Sequence, residues 1–346
     1  GRRATAPHAR PPAPRLPLTL PALASVLLEI PFPRIDPVAL DLPGPVDVRW
    51  YGLGYLAGFF VAYLILRRLA GRGFLRMEPD AAGDLLTALV LGVILGGRLG
   101  YILFYDFASF LASPARIFRI WEGGLSFHGG LLGVIVAAWW FTRRHRVPFF
   151  NLGDGLALAV PFGIFFVRVA NFINGELYGR PASADVPWAM RFPTDPAALQ
   201  ALGVDARSMR DRERAIETAY ETGAWDAVRE QVPLRHPSQL YEALTEGLLL
   251  GLVLWGVYAF TRKRGTRLPD GTFGGLFLLG YGLFRSFVEL FRQPDAQFTG
   301  ADDPLGTVLG PLTMGQTLSL LMILGGLGIL VWSWRRAQQP PAHAAG

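Results

Sequence analysis

One apolar segment of the sequence ends in a dense set of side chains that can bind an anion. It reads RVANFINGELYGRP over residues 168–181. Arg168 and Asn171 are three positions apart, so both lie on one face of a helix, and Glu176 follows where the helix ends in a glycine-containing turn. A guanidinium is a planar fork that suits bidentate capture of a phosphate. The plainer alternative is a polar helix exit with ordinary capping.

Two further apolar segments carry ionisable groups. Arg285 and Glu289, within FRSFVELFRQPD, are four positions apart and can pair on one helical face. They indicate either an ion pair that fixes helix packing or part of a binding site. His128 stands beside glycines in GGLSFHGGLLG, and glycines permit close backbone approach. It is either a packing histidine or a general base, because imidazole titrates near neutrality.

Three more polar sets have competing interpretations. Arg98 and Tyr101 stand together at helical spacing, and an arginine that snorkels to an interface explains them as well as one that lines a pocket. HPSQLYEA, residues 236–243, opens another apolar segment, and we favour a structural role for its polar side chains over catalysis. Tyr51 begins the first apolar segment, where an interfacial aromatic belt accounts for its position.

The composition predicts a membrane protein. Of 346 residues, 51% are hydrophobic and 17% are charged, and the mean hydropathy is +0.31. A soluble domain has about 25% charged residues, so this chain has too few to cover a soluble surface. The net charge of +6 comes from basic clusters beside apolar runs, which favours membrane topology over nucleic-acid binding. The absence of cysteine excludes disulfides, cysteine metal sites and a thiol nucleophile supplied by the protein.

Seven apolar runs are long enough to cross a hydrocarbon core of about 30 Å. They are Trp50–Leu66, Leu85–Phe104, Phe127–Phe141, Leu152–Phe172, Leu240–Phe260, Phe273–Phe291 and Leu312–Trp334. Arginine clusters follow the first, third, fifth and seventh runs, and the positive-inside rule assigns these ends to the cytoplasm. The predicted fold class is therefore an all-α polytopic membrane protein with seven transmembrane helices, an outer N-terminus and a cytoplasmic C-terminus.

The same pattern divides the chain. Residues 1–46 are a Pro- and Ala-rich stretch, which we expect to be an extracytoplasmic extension. The transmembrane domain covers 47–334 and includes a small outer head insert over 179–239. Within this insert, 195–230 is predicted to form one or two amphipathic helices. The last segment, 335–346, is predicted to be a cytoplasmic tail.

Four long motifs now identify a family. SFHGGLLG, RVANFINGELYGRP, HPSQLYEA and FRSFVELFRQPD, in this order after RWYG, closely resemble the bacterial prolipoprotein diacylglyceryl transferases. The resemblance covers residues 48–334 and leaves 1–46 and much of 195–230 unmatched. It implies an enzyme of the inner membrane, with its active site toward the outer leaflet. Such an enzyme moves the diacylglyceryl group of phosphatidylglycerol to the lipobox cysteine of a prolipoprotein.

The resemblance also implies roles for eight residues. The catalytic set that it implies is His128, Arg168 and Arg285. The phosphatidylglycerol-binding set that it implies is Arg168, Asn171, Glu176, Gly179, Tyr51 and Glu289. Glu289 is expected to orient Arg285, and Tyr51 to cap the pocket.

The implied reaction needs no cofactor and no metal. The attacking thiol belongs to the signal peptide of the prolipoprotein, and only a few per cent of a thiol with a pKa near 8.5 is thiolate at neutral pH. A base, His128 directly or through water, would accelerate attack by about 10² to 10⁴. Arg168 and Arg285 would neutralise the departing phosphate. Asn171 and Glu176 would bind the glycerol hydroxyls of the lipid headgroup.

Two other classes of protein share some of these features. A transporter also carries intramembrane Arg, Glu and His beside glycine-broken helices. It predicts pseudo-symmetry between the two halves and polar residues at mid-bilayer, whereas these halves share no pattern and the polar groups gather at the outer ends. A purely structural membrane protein does not explain so many charges in apolar runs.

Overall fold

The computed structural model describes residues 30–42, 47–118, 124–205, 209–294, 299, 303 and 305–339. Most of the predicted extension (residues 1–29 and 43–46) and most of the predicted tail (residues 340–346) therefore lie outside the described residues.

The described part of the chain is mostly helical. Its helices are α1 Trp50–Gly71, α2 Ala81–Tyr105, α3 Phe107–Ala112, α4 Phe127–His145, α5 Phe149–Ile173, α6 Pro196–Ala201, α7 Met209–Glu221, α8 Ala224–Val228, α9 Ser238–Lys263, α10 Thr272–Val288 and α11 Met314–Gln338. Short 3₁₀ turns span Pro114–Phe118 and Arg229–Gln231. Two antiparallel ribbons pair β1 Val38–Leu40 with β2 Val48–Arg49, and β3 Thr307–Leu309 with β4 Leu312–Thr313.

Each of the seven predicted runs lies largely on a helix, although the seventh begins in β4 at Leu312. Within the described residues, five helices are long and apolar enough to cross a membrane. These five are α1, α2, α5, α9 and α11. Helix α4 has 19 residues but ends in Arg143, Arg144 and His145, and α10 has only 17. The sixth run was predicted to stay helical to Phe291, but α10 ends at Val288 and Glu289 is its C-cap.

The chain divides into two compact units. The smaller unit contains Pro181–Arg235, and a cluster of Ala198, Ala219, Trp225 and Val232 forms its core. One or two helices were predicted over 195–230; the described residues there form α6, α7 and α8. Gly203 and Gly223 separate these helices with φ of +66° and +74°, a conformation that glycine adopts at little cost.

The larger unit contains Pro33–Arg180 and His236–Gly346. Its core includes the fully buried side chains of Leu66, Phe141, Leu158 and Phe273. A buried carboxylate couples two of its helices: Asp154 of α5 accepts hydrogen bonds from the backbone N–H groups of Gly271 and Gly274, each at 2.8 Å. These N–H groups have no partner within α10, and a negative charge at a helix N-terminus is favourable. Asp154 therefore sets the position of α10 against α5.

Close backbone contact brings α1 onto α5. A Cβ on Gly54 would lie 3.1 Å from the Ala170 side chain, and one on Gly58 would lie 3.2 Å from the Gly163 Cα. Small residues at such positions let two helix axes approach. The start of α1, with Tyr51, is thereby held beside the end of α5.

A second seam of glycines joins α2 to α4. A Cβ on Gly100 of α2 would lie 2.7 Å from the Gly129 Cα, and a Cβ on Gly133 of α4 would overlap the Gly92 carbonyl. The close approach predicted for the glycines around His128 is therefore confirmed. The seam positions the N-terminus of α4, where Ser126 caps the helix by accepting from the Gly129 N–H at 3.2 Å.

We expect Gly133→Ala to destabilise the protein by about 1–3 kcal/mol, because the added methyl group forces the two backbones apart. The matched control is Gly328→Ala in α11, where a Cβ would meet nothing within 4 Å. Alanine is the better helix former by up to about 1 kcal/mol, so this control should be neutral or stabilising. Thermal unfolding of the two detergent-purified variants measures this difference in stability. Equal melting temperatures would contradict the close glycine contact between α2 and α4.

Candidate active site

The centre of the site is a chain of alternating charges buried between apolar helices. Arg168 Nε on α5 lies 2.5 Å from Glu242 Oε2 on α9. The other oxygen of Glu242 accepts from Arg292 Nη1 at 2.9 Å. Arg292 Nε lies 3.6 Å from Glu289 Oε2, which pairs with Arg285 Nη2 at 2.8 Å. We call these five residues the arginine–glutamate network. Burial makes its ion pairs strong and removal of any one partner costly.

The predicted lipid-binding residues of α5 continue this network. Arg168 Nη1 donates to Asn171 Oδ1 at 3.4 Å. The amide of Asn171 donates to Glu176 Oε1 at 2.8 Å, and Asn174 donates to the same oxygen at 3.3 Å. Asn171 is buried, whereas Glu176 is partly exposed. The groups predicted to bind glycerol hydroxyls thus lie together, oriented by one another.

The turn after α5 is held by residues of HPSQLYEA. Gln239 Nε2 donates to the Glu176 carbonyl at 2.6 Å, and Ser238 Oγ donates to the Leu177 carbonyl at 3.1 Å. Leu177 has a φ of +57°, an uncommon conformation for a non-glycine residue that needs such support. These contacts agree with the structural role favoured for this motif.

Gly179 has a backbone role in this turn. Its N–H donates to the His236 carbonyl at 2.8 Å, and a Cβ there would overlap the Phe291 carbonyl. Burial lowers the pKa of His236, whose Nδ1 lies 3.0 Å from the Tyr241 hydroxyl. The lipid-binding role of Gly179 stays a prediction, and the geometry explains why no side chain fits at this position.

Glu289 is anchored to the first turn of α11. Its Oε1 accepts from Thr313 Oγ1 at 3.0 Å, and Thr313 also caps α11 together with Gln316. A Cβ on Gly315 would lie 2.5 Å from the Glu289 carboxyl carbon, so only glycine admits the carboxylate here. The predicted pairing of Arg285 with Glu289 is confirmed, and α11 fixes the carboxylate that orients the arginine.

The guanidinium group of Arg285 does not use all of its nitrogens in hydrogen bonds to the described residues. Its Nη1 is buried and has no hydrogen-bond partner among the described residues. A cavity of about 130 Å³ lies beside it; its polar lining includes Arg285, Glu289, Arg292 and Thr313. A buried cationic donor without a partner is costly in the empty protein and suits an anion that fills the site.

Tyr51 lies at the edge of this region. Its hydroxyl is 3.3 Å from that of Tyr55, one turn along α1. It is within electrostatic range of Arg168 and Glu176. Tyr51 is partly exposed, so an aromatic-belt position and a capping position are both compatible with the fold.

His128 is not in contact with the network. It is exposed at the start of α4, and within the described residues it has no hydrogen bond or ion pair; its ring lies 5.7 Å from that of Phe127. The glycine seam holds α4 mainly against α2. Sequence reasoning expected these groups at neighbouring helix ends. Hydrogen bonds and ion pairs join five of the predicted residues to one another directly or through Glu242 and Arg292, namely Arg168, Asn171, Glu176, Arg285 and Glu289.

Arg98 supports the segment that leads to His128. It is only 6% exposed, which contradicts the snorkelling interpretation. Its Nε and Nη1 donate to the carbonyls of Ile117 and Gly124, each at 3.2 Å, and its guanidinium lies 5.9 Å from the Tyr101 ring centre. Arg98 therefore ties α2 to the loop before α4.

Sequence reasoning did not single out Arg292 and gave Glu242 no partner. A structural role was favoured for Glu242 with the rest of HPSQLYEA, and it is fully buried and pairs with Arg168 and Arg292. One signal was available: a carboxyl group inside an apolar run needs a partner, and Arg292 was a cation without an assigned role in a neighbouring motif. Among the described residues, no group of three or more His, Asp or Glu is arranged to hold a metal ion.

Comparisons with known proteins agree on one family. The family model for prolipoprotein diacylglyceryl transferase matches residues 37–332. The chain is 45% identical over 313 residues to the phosphatidylglycerol–prolipoprotein diacylglyceryl transferase of Yersinia enterocolitica, covering 89% of this chain and 97% of that protein. The proteins of the same name from Yersinia pestis and Yersinia pseudotuberculosis are 44% identical with the same coverage.

We expect Glu242→Gln to destabilise the protein by about 3–5 kcal/mol, because it leaves two buried arginines without their shared carboxylate. The matched control is Glu230→Gln, which removes a largely exposed partner of Arg191. An exposed pair contributes at most about 1 kcal/mol. Unfolding of both variants in detergent measures the difference in their free energies of unfolding. If Glu242→Gln loses no more stability than the control, Glu242 does not hold the network together.

Proposed function

The chain belongs to the prolipoprotein diacylglyceryl transferase family, and from its geometry we propose how its residues carry out the reaction. The enzyme transfers the diacylglyceryl group of phosphatidylglycerol to a prolipoprotein, the first step of lipoprotein maturation. The acceptor is the thiol of the lipobox cysteine, which lies in the signal peptide of the prolipoprotein. A thioether forms and glycerol phosphate leaves.

One observation carries this proposal. Arg168 and Arg285, which the motifs assign to the phosphate, belong to a single buried network and reach it from α5 and α10. A phosphodiester needs cationic donors, and such donors act more strongly where water is excluded. The unpartnered Nη1 of Arg285 is one such donor.

The bond changes follow from the two substrates. The sulfur attacks the glycerol carbon that bears the phosphate ester, so a carbon–sulfur bond forms as the carbon–oxygen bond breaks. The electron pair of that bond goes to the phosphate oxygen, and the thiol proton goes to His128 directly or through water. His128 is exposed at the start of α4 and has no described hydrogen bond that would block this role.

The other residues bind and orient. Arg168 and Arg285 neutralise the charge that grows on the leaving phosphate, while Glu289 positions Arg285. Asn171 and Glu176, already joined to each other, bind the glycerol hydroxyls.

Two further residues complete the lipid site. Tyr51 caps the pocket from α1, and Gly179 shapes the turn beside it. No step requires a metal or a cofactor.

The chain is a multi-pass membrane protein, and we propose seven spans for it. Helices α4 and α10 join the five longer ones, and arginine clusters at the ends of α1, α4, α9 and α11 assign those ends to the cytoplasm. The site then faces the outer leaflet of the bacterial inner membrane. Both substrates arrive laterally, the lipid from that leaflet and the signal peptide as a membrane-embedded helix.

The transporter alternative is not favoured. The family and the similar proteins are transferases, and the polar groups form a closed network between helix ends instead of a path across the protein.

Transfer is tested by mass spectrometry on a lipobox peptide incubated with the detergent-purified protein and phosphatidylglycerol. We expect the peptide to gain the mass of one diacylglyceryl group on its cysteine. A peptide with Ser in place of that cysteine is the control and should gain nothing. If folded protein gives no gain on the cysteine peptide, the proposed reaction is wrong.

His128→Ala should lower the rate of transfer by about 10² to 10⁴, because the thiol loses its base. His145→Ala is the matched control, since His145 ends the same helix and stacks on Phe141 at 4.2 Å. The same peptide assay measures both variants, and binding of phosphatidylglycerol should survive in both. Near-normal turnover in His128→Ala would exclude this histidine as the base.

A further inference from the structure

A third glutamate lies beside the arginine–glutamate network and takes no part in its ion pairs. Glu246 is fully buried, and both of its carboxylate oxygens lack a hydrogen-bond partner. It also makes no ion pair with a described residue. An ionised carboxylate buried in this way is costly, so such a group tends to take up a proton unless nearby charges oppose this.

The local backbone holds Glu246 in this place. Helix α9 is π-helical over Ala243–Leu249, an irregularity that is frequent at functional sites. A Cβ on the next residue, Gly247, would lie 2.8 Å from the Phe165 Cα and Cβ of α5. The backbones of α9 and α5 therefore come close together at the residue next to Glu246.

Charged groups from each neighbouring element lie within electrostatic range of Glu246. Arg168 comes from α5, Arg285 from α10, Arg292 from the turn after α10, and Glu242 from the preceding turn of α9. Tyr281 of α10 is within electrostatic range as well. Burial and the Glu242 carboxylate therefore favour the protonated form of Glu246, and the three arginines favour its ionised form.

A count of charges shows what Glu246 can do. The network contains three arginines and two glutamates, Glu242 and Glu289, so it carries one net positive charge. With Glu246 ionised, the cluster as a whole is neutral. With Glu246 protonated, the net charge is +1, which matches the single negative charge of a phosphodiester.

We propose that Glu246 is the titratable counter-charge of the arginine–glutamate network and takes up a proton when an anionic phosphate binds there. The inference rests on the proposed function, because it assigns the network to the phosphate of phosphatidylglycerol. In the empty site, ionised Glu246 balances the third arginine. When the phosphate enters, it replaces Glu246 as the counter-anion, and the carboxyl group becomes neutral.

The test is proton uptake during lipid binding. The full-length protein in detergent is titrated with short-chain phosphatidylglycerol, without peptide, in buffers of different ionisation enthalpy. Wild-type protein should take up protons, and its affinity should fall with rising pH by up to about tenfold per pH unit. Glu246→Gln fixes a neutral side chain, so it should take up none and bind with little dependence on pH.

Two controls separate the outcomes. Glu217→Gln changes an exposed residue of α7 and should behave as wild type, whereas Glu246→Asp keeps a carboxyl group and should keep the uptake. Equal proton uptake in wild type and Glu246→Gln would mean that another group takes up the proton, and it would overturn the proposal. If the wild-type protein binds the lipid without taking up protons, that result alone overturns the proposal. Loss of peptide transfer by wild type would instead contradict the proposed function.

Discussion

The structure depends on keeping three arginines charged inside a bundle of apolar helices. Each arginine is held by a carboxylate: Glu242 of α9 pairs with Arg168 of α5 and with Arg292 after α10, while Glu289 pairs with Arg285 one turn before it and reaches Arg292. Since an unpaired charge in this setting costs several kcal/mol, the helices that supply the partners have little freedom to move. The network thus determines the relative positions of α5, α9, α10 and the start of α11.

Close backbone contacts make this arrangement possible. Glycines at the α1–α5 and α2–α4 contacts, and Gly247 against Phe165, let helices approach until little space remains for water. Asp154 of α5 accepts hydrogen bonds from the free N–H groups at the N-terminus of α10. These bonds align α5 with α10 at the helix ends opposite the arginine–glutamate network. Packing and electrostatics therefore support each other. Small residues let the helices pack closely and exclude water, and the absence of water strengthens the ion pairs.

The site has two parts with different surroundings. The arginine–glutamate network is largely buried and held by several ion pairs, which suits the phosphate-binding role proposed for it. His128 is exposed on a separately braced helix, where Arg98 and the glycine seam hold it. In the mechanism proposed above, His128 would serve the thiol and the network would serve the lipid phosphate.

Sequence alone determined the class of protein and the family, and it predicted the apolar runs and a set of candidate site residues. Apolar periodicity and the cost of intramembrane charge are local properties, so the amino-acid pattern is enough to single out Arg168, Asn171, Arg285 and Glu289. The partner of an arginine on another helix is not local. Helix packing alone decided that Glu242 joins Arg168 to Arg292. It also decided that Glu246 and His128 have no hydrogen bond or ion pair with the described part of the chain. The reason is that residues far apart in sequence come close only when the helices that carry them pack together.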